Sequence, residues 1–403
     1  MISILLALIY VSFISLGLPD AMLGAAWPIM YSELGTQFAF AEIITTIISV
    51  GTITSTFLSD KITKKFSFRY VVVGSIFLTA TAMFGFSVST AFWHLCLLAI
   101  PYGFGAGSLD AALNNYMALY YKSRQMNWMH CFWGVGAAIG PHIMGFNLAG
   151  GLGWNSAYRT VAIVQISLVA VLIITLPLWK KQRELSDKPK LYKPMKFKDI
   201  IRIRGIKYAL LAFFCYCAME ATAGLWATSF LVIQRGVDPE IAARYGSLFF
   251  IGITVGRFLS GFISDRLGNR SMVRLGIFVA ILGVLAVWVP TPMIQISQGG
   301  LILIGLGSAP IFPSLIHATS DNFGKENAQA IIGVQMASAY TGIIVMPFFF
   351  GFIADNISII LFPGFLLLLV CAMLFFTERL NKTVKNKIEN DTTIEENNFG
   401  GKK

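Results

Sequence analysis

The feature that most constrains this chain is a series of apolar stretches, each long enough to cross a lipid bilayer. An apolar helix of about 20 residues spans the hydrocarbon core of a membrane. Hydrophobic residues make up 56% of the 403 residues and charged residues only 13%, whereas a soluble surface needs about 25–35% charged residues. We therefore predict an all-α membrane protein with twelve transmembrane helices, at roughly 2–30, 39–59, 70–89, 94–121, 128–150, 157–180, 207–234, 241–264, 273–292, 296–318, 328–354 and 358–377.

Lysine and arginine are concentrated in the loops that follow every second span. These basic loops carry Lys61, Lys64, Lys65, Arg69, Lys122, Arg124, the run from Lys180 to Lys207, Arg266, Arg270, Arg274 and Lys325. The intervening loops hold only Arg159, Arg235 and Arg244. By the positive-inside rule, this pattern predicts a multi-pass protein of the plasma membrane with both termini in the cytoplasm. The net charge of +11 thus reflects topology and does not indicate a nucleic-acid partner.

The second half of the chain repeats features of the first in the same order. The matched sets are Asp20, Gly24 and Trp27 with Glu220, Gly224 and Trp226; Gly103 and Gly105 with Gly305 and Gly307; and Gly136, Pro141 and Gly145 with Gly342, Pro347 and Gly351. We predict a six-helix half at 1–180, a cytoplasmic linker at 181–206, a second six-helix half at 207–378 and a disordered cytoplasmic tail at 379–403. Duplicated bundles of this kind support alternating access in transporters.

Three carboxylates lie near the middle of predicted spans: Asp20, Asp110 and Glu220. A charge at mid-membrane costs at least about 2.5–3.5 kcal/mol on insertion scales, so it persists only beside a polar cavity or a partner. Asp110 and Asn114 are four residues apart and share one helical face. A buried carboxylate without an evident cation can exchange protons as its surroundings open and close. We predict proton coupling for all three, with Glu220 divided between coupling and solute contact; the alternative is purely structural pairing.

Two loops resemble the signature of the major facilitator superfamily, G-x-x-x-D-R-x-G-R-R. The better copy follows span eight, with Gly261, Asp265, Arg266, Gly268 and Arg270. The weaker copy follows span two, with Thr56, Asp60, Lys61 and Thr63. This resemblance implies the major facilitator fold, two pseudo-repeated six-helix halves. It also implies a conformational latch formed by Asp60, Lys61, Asp265, Arg266 and Arg270. The alternative is that these charges only mark the cytoplasmic face.

Spans four and five are similar to the fucose:proton symporter branch of that superfamily. The motifs that carry the similarity are Gly103-x-Gly105-x-Gly107-x-x-Asp110-x-x-x-Asn114 and His130-x-Phe132-Trp133-Gly134-x-Gly136. In that branch one acidic residue in span one and another in span four are required, which the resemblance carries to Asp20 and Asp110. The bacterial sugar symporter of the branch has Asn where this chain has Gly17, so the resemblance does not imply fucose as the substrate.

Aromatic and amide side chains inside the spans are the candidates for solute contact. Rings stack on the C–H faces of sugars, and amides pair with hydroxyl groups. The predicted substrate-binding residues are Trp27, Asn114, Asn115, Trp133, Asn147, Glu220, Trp226 and Gln335. For each tryptophan the alternative is packing or contact with lipid.

Several classes of site have no support in the sequence. The five cysteines are odd in number and lie in apolar segments, and no spacing typical of zinc ligands occurs. We therefore expect no metal site and no cofactor. The chain shows no nucleophile–base pair and no nucleotide-binding loop, which argues against an enzyme.

Together these features predict a monomeric secondary active transporter. The expected solute is small and polar, a monosaccharide or derivative, moved by alternating access with proton coupling; sodium is the alternative ion. A drug:proton antiporter is the alternative within transport and would need a more apolar pocket. A non-transporting receptor is less favoured, because the chain has no extramembrane domain.

Overall fold

The fold is a helical bundle, seen in a computed structural model that describes residues 2–120, 123–177, 197–291 and 293–400. All regular elements among these residues are helical, which confirms the predicted all-α membrane protein. The α-helices are α1 Ile2–Asp20, α2 Met22–Glu33, α3 Ala41–Phe66, α4 Phe68–Ser87, α5 Phe92–Tyr120, α6 Ser123–Ala149, α7 Gly153–Thr175, α8 Phe197–Arg202, α9 Ile206–Arg235, α10 Pro239–Trp288, α11 Ile294–Ser308, α12 Ile311–Phe323, α13 Lys325–Asn356 and α14 Phe362–Gly400.

The described helices account for the predicted membrane spans. Eleven segments are both long and apolar enough to cross a membrane. The remaining predicted span, 128–150, falls on α6, whose 27 residues are also long enough to cross. Span one consists of α1 and α2, and span ten of α11 and α12. Helix α10 contains spans eight and nine, separated by a break at Gly268, where φ is 72° and ψ is 161°.

The break in span one follows from a proline. Pro19 lies inside α1 and has no N–H to donate to the Ser15 carbonyl one turn earlier. The side-chain amide of Gln165 donates to that carbonyl instead, at 2.9 Å. The helix ends at Asp20, and α2 begins after Ala21. The interruption therefore places the carboxylate of Asp20 at a joint between two helical segments.

The internal repeat seen in the sequence is also a repeat of helix contacts. In each half the first glycine of the G-x-G pair lies against the backbone of the second span: Gly103 against Ile48 and Gly305 against Phe249. The glycines of span five and span eleven repeat this relation, with Gly136 against Ile14 of span one and Gly342 against Phe214 of span seven. A side chain at these positions would collide with backbone atoms, so glycine sets the close packing within both halves.

The two halves contact each other at one end of the bundle, which we call the closed end. It is formed by the short helix Phe38–Phe40, after span one, and by the end of α13. The Ala39 N–H donates to Asp355 Oδ2 at 3.2 Å, and the Phe38 ring lies 4.6 Å from the Trp226 ring. Helices α2 and α9, α3 and α13, and α6 and α10 also pack across the two halves. The charge pattern predicts that the closed end faces the outside.

The last helix extends beyond the predicted boundary at 379, and the disorder of the tail stays a prediction. Helix α14 continues to Gly400, and no proline or glycine occurs between Gly364 and Gly400 to interrupt it. Leu380 and Val384, past the predicted boundary at 379, are buried. Side chains from residue 385 onward lie outside the described part. In the predicted linker 181–206, residues up to 196 also lie outside it, and the short helix α8 follows. The exact boundaries of the halves stay predictions.

Candidate functional site

The Asp20 carboxylate lies between the first, fourth and fifth spans. The Tyr102 hydroxyl of α5 donates to its Oδ1 at 2.6 Å, and the Trp133 indole N–H of α6 donates to its Oδ2 at 2.7 Å. Asp20 is nevertheless exposed. A side chain that is surrounded by three spans and still exposed faces a cavity inside the bundle. Because the closed end lies on one side of Asp20, we infer that this cavity opens toward the other side.

A second polar group lies on α5 and α6. The Asn114 side-chain amide donates to Asp110 Oδ1 at 2.9 Å and to the Asp110 carbonyl at 3.0 Å. Its oxygen lies 3.1 Å from His130 Nε2. Because an amide oxygen can only accept, this orientation makes Nε2 of His130 the donor. Asp110 lies on the same helix as Tyr102, which donates to Asp20. The structure thus brings both predicted coupling carboxylates of the first half to one region.

The second half contributes Glu220 and Arg257. An Nη atom of Arg257 lies 4.0 Å from Glu220 Oε1, and its guanidinium carbon lies 5.2 Å from the centre of the Trp133 ring. Trp133 therefore donates to Asp20 through its N–H and contacts Arg257 through its ring. The result is a continuous series of contacts from Tyr102 through Asp20, Trp133 and Arg257 to Glu220, which crosses between the halves.

Arg257 was not among the predicted site residues. It is the one lysine or arginine that the sequence places near mid-membrane within a span, and this was the signal available. Its role is hidden in the sequence because Glu220 and Trp133 lie far from it along the chain. In the fold it provides the cation near Glu220 that the sequence alone does not reveal.

Trp27 and Trp226, two of the predicted solute contacts, do not line the cavity in this conformation. Both side chains are fully buried in the closed end. The Trp27 N–H donates to the Phe38 carbonyl at 2.6 Å, and the Trp226 N–H donates to the Pro347 carbonyl at 3.0 Å. With each ring packed and each N–H satisfied, neither side chain is available to a solute in this conformation.

The other predicted amide contacts also lie away from the cavity. Asn147 is buried and donates to the Ile143 carbonyl of its own helix at 2.9 Å. Gln335 is buried and accepts from the Thr319 hydroxyl at 2.7 Å, a bond that joins α13 to α12. The side chain of Asn115 lies outside the described residues. Of the predicted solute contacts, Asn114, Trp133 and Glu220 are those that the structure brings together.

The predicted latch falls partly outside the described residues. This applies to the side chains of Asp60, Lys61 and Asp265, whereas those of Arg266 and Arg270 are exposed.

Next to Arg270, the turn between spans eight and nine makes two contacts with later helices. Asn269 donates to Asp321 of α12 at 3.2 Å, and Arg274 binds both carboxylate oxygens of Glu378 of α14 at 2.6 and 2.7 Å. These contacts belong to the second half alone. A latch between conformations stays a prediction.

Comparison with known proteins fixes the family. The sequence model of the Major Facilitator Superfamily matches residues 9–295 and 209–397, which together cover most of the chain. The chain belongs to this superfamily. It is therefore a multi-pass membrane transporter of small molecules, as its bundle of duplicated halves predicted.

The similarities extend over nearly the whole length of individual transporters. A glucose/mannose transporter of Bacillus subtilis (strain 168) is 20% identical over 393 residues, 96% of each protein. A hexuronate transporter of the same organism is 24% identical over 370 residues, 84% of this chain and 85% of the relative. The crystal structure of a nucleoside transporter superimposes with a TM-score of 0.73 at 15% identity, covering 93% of this chain and 98% of that one. This last similarity concerns the fold alone.

Proposed function

We propose that this transporter moves a small polar solute, a monosaccharide or derivative, by alternating access coupled to protons. The observation that carries the proposal is the pair Asp20 and Asp110, two carboxylates in mid-span, held by hydrogen-bond donors beside one cavity. Intramembrane carboxylates in such a setting are typical of proton relays in transporters.

The contacts of Asp20 suggest how proton binding acts on the two halves. As a carboxylate, Asp20 accepts short hydrogen bonds from Tyr102 and Trp133. Hydrogen bonds to an ionised acceptor are roughly twice as strong as those between neutral groups, so protonation weakens the bond from Trp133. Because the Trp133 ring contacts Arg257 of the other half, this change is transmitted to the interface that alternating access must rearrange.

The polarity of the cavity wall favours a hydroxylated solute over an apolar drug. The half-buried Asn114 and His130 provide donors and acceptors, and the half-buried Trp133 ring provides a surface for C–H groups. The relatives that transport glucose or mannose, and hexuronate, support a sugar or sugar derivative. The closed end, if it faces outside, makes this conformation open to the cytoplasm.

The test is uptake of labelled monosaccharides and their derivatives into proteoliposomes, with and without an inward proton gradient. We expect accumulation only with the gradient. Asp110→Asn should abolish gradient-driven uptake and retain exchange of solute between the two sides, whereas Asp238→Asn, at an exposed loop position, should behave as wild type.

Loss of exchange as well would reassign Asp110 to solute recognition. Failure to accumulate any sugar, together with drug-stimulated proton release, would replace the proposal with a drug:proton antiporter.

A further inference from the structure

Arg257 is a cation that the membrane-spanning part of the protein retains although a charge at that depth is unfavourable. It lies in the first part of α10, inside the apolar segment Pro239–Ser264. Its side chain is 18% exposed and that of Glu220 is 21% exposed. The contact of Arg257 with the Trp133 ring, whose N–H donates to Asp20, places the pair beside the cavity. An intramembrane arginine that faces a cavity is a candidate for binding solute or ion.

The hydrogen-bonding capacity of Arg257 is largely unused. A guanidinium has five N–H donors in a planar fork that matches a carboxylate. The closest approach to Glu220 is 4.0 Å, beyond hydrogen-bond distance, and Arg257 makes no hydrogen bond within the described part of the chain. The Trp133 ring stabilises the positive charge but offers no acceptor oxygen. The donors of Arg257 are therefore available to an acceptor that enters the cavity.

The charged and titratable groups around Arg257 come from several helices. Glu220, Tyr216 and Cys217 lie on α9, His130 and Cys131 on α6, and Asp20 reaches the site through Trp133. Asp110 lies beyond Asp20, and Tyr340 of α13 lies beside Asp110. Among the described residues the site thus holds three carboxylates and one guanidinium. An anion can join them only if protons neutralise carboxylates, which makes proton uptake a condition of anion binding.

We propose that Arg257 binds a carboxylate group of the transported solute in place of Glu220, which takes up a proton in the same step. The proposal rests on proton-coupled transport as proposed above and specifies its substrate class as a small hydroxylated carboxylate, such as a sugar acid. The charges balance, because one solute anion and one proton enter together. The proton neutralises Glu220, and Arg257 then pairs with the carboxylate of the solute instead. The long Glu220–Arg257 distance suits an ion pair that opens on each cycle.

The first test compares two sugars that differ only at the carbon that carries the acid group. D-Glucuronate should raise the melting temperature of the purified transporter and accumulate in proteoliposomes with a proton gradient, and D-glucose should bind at least about tenfold more weakly. Equal binding of both sugars, or no binding of D-glucuronate and of further carboxylated probes such as D-galacturonate and D-gluconate, would overturn the proposal.

Arginine variants test the contact itself. Arg257→Gln should weaken D-glucuronate binding about 10- to 100-fold, because it removes a charge-assisted hydrogen bond, and should leave any weak D-glucose binding unchanged. Arg257→Lys keeps the charge without the planar fork and should fall between the two. Arg244→Gln removes a positive charge from the same helix near the closed end and should bind as wild type. The same loss for both sugars in Arg257→Gln would indicate general damage to the cavity and refute a carboxylate contact.

Proton counting tests the exchange at Glu220. We expect wild type to take up protons when D-glucuronate binds, measured with a pH indicator in weakly buffered detergent solution. Glu220→Gln cannot take up its proton and should bind D-glucuronate with one proton fewer, and Asp238→Asn should match wild type. An unchanged proton count in Glu220→Gln would refute the exchange.

These outcomes separate the substrate class from the proposed function. If a proton gradient drives accumulation of D-glucose while D-glucuronate neither binds nor competes, proton-coupled sugar transport holds and the anion contact is refuted. If neither sugar is accumulated and a drug releases protons, both proposals fail.

Discussion

The contact between α2 and α9 allows a test of alternating access that does not depend on the substrate. A Cβ atom added at Gly24 would lie 2.8 Å from the Leu225 carbonyl oxygen and 2.9 Å from the Gly224 carbonyl oxygen, whereas ordinary van der Waals contact begins at 3.4 Å. The opposing atoms are backbone, so they cannot turn aside. The helices must therefore separate by about half an ångström, and overpacking of this kind costs about 1–3 kcal/mol.

This cost applies only to conformations in which the closed end is closed. Once α2 and α9 separate, the added methyl group meets no neighbour across the interface. Gly24→Ala should therefore shift the equilibrium toward opening of this end by about 5- to 150-fold. Gly24→Val should shift it further in the same direction.

The assay is a distance measurement by electron paramagnetic resonance, with spin labels at Gln37 and Ile357 in a background without the native cysteines. Both positions are exposed at the closed end. We expect a short distance in wild type and a longer one in Gly24→Ala. Gly74→Ala is the matched control, because it replaces another helical glycine whose Cβ would meet no atom within 4 Å. An unchanged distance distribution in both Gly24 variants would refute the role of this contact.

Three further predictions concern single contacts. Tyr102→Phe removes the 2.6 Å hydrogen bond to the carboxylate at the end of α1, and proton-driven uptake should fall at least about tenfold without loss of folded protein; unchanged uptake would contradict this. Arg274→Gln should lower stability by no more than about 1 kcal/mol, because Arg274 and Glu378 are 55% and 41% exposed, and the effect should vanish in high salt when melting is measured. Gly305→Ala should reduce the yield of folded protein in size-exclusion chromatography, because its Cβ would collide with a backbone oxygen of α10; a normal yield would show that the helices can separate.

Much of the bundle could be predicted because a membrane imposes the same requirement on every span. Segment length and apolarity located the spans, and the repeated glycines located helix contacts that the structure repeats in both halves. The break at Asp20 could also have been predicted, since Pro19 removes a helical hydrogen bond. The continuation of α14 past residue 379 was harder to predict, because the polar composition there hides Leu380 and Val384, which are buried.

The candidate site could be predicted only in part, for a physical reason. The energetic cost of an intramembrane charge marks Asp20 and Asp110 whatever surrounds them. The sequence does not reveal the environment of a tryptophan in this way, because an indole ring is stable in a packed interface, in lipid or against a solute. From the sequence, Trp133 and Trp226 are therefore equally good candidates for solute contact. Only the arrangement of the helices shows that Trp133 lies beside the cavity and Trp226 is buried. Arg257 also can be identified as a site residue only from the arrangement of the helices, because its neighbours lie on α6 and α9.

The burial of Trp27 and Trp226 at the closed end gives the protein an internal optical reporter. Indole fluorescence shifts to longer wavelength when the ring passes from a dry environment into water. Both rings are at 0% exposure here, and each opening of this end would hydrate them. Turnover can therefore be followed in the unlabelled protein by the wavelength of its fluorescence emission maximum. The variants Trp27→Phe and Trp226→Phe would show how much of the signal comes from each ring.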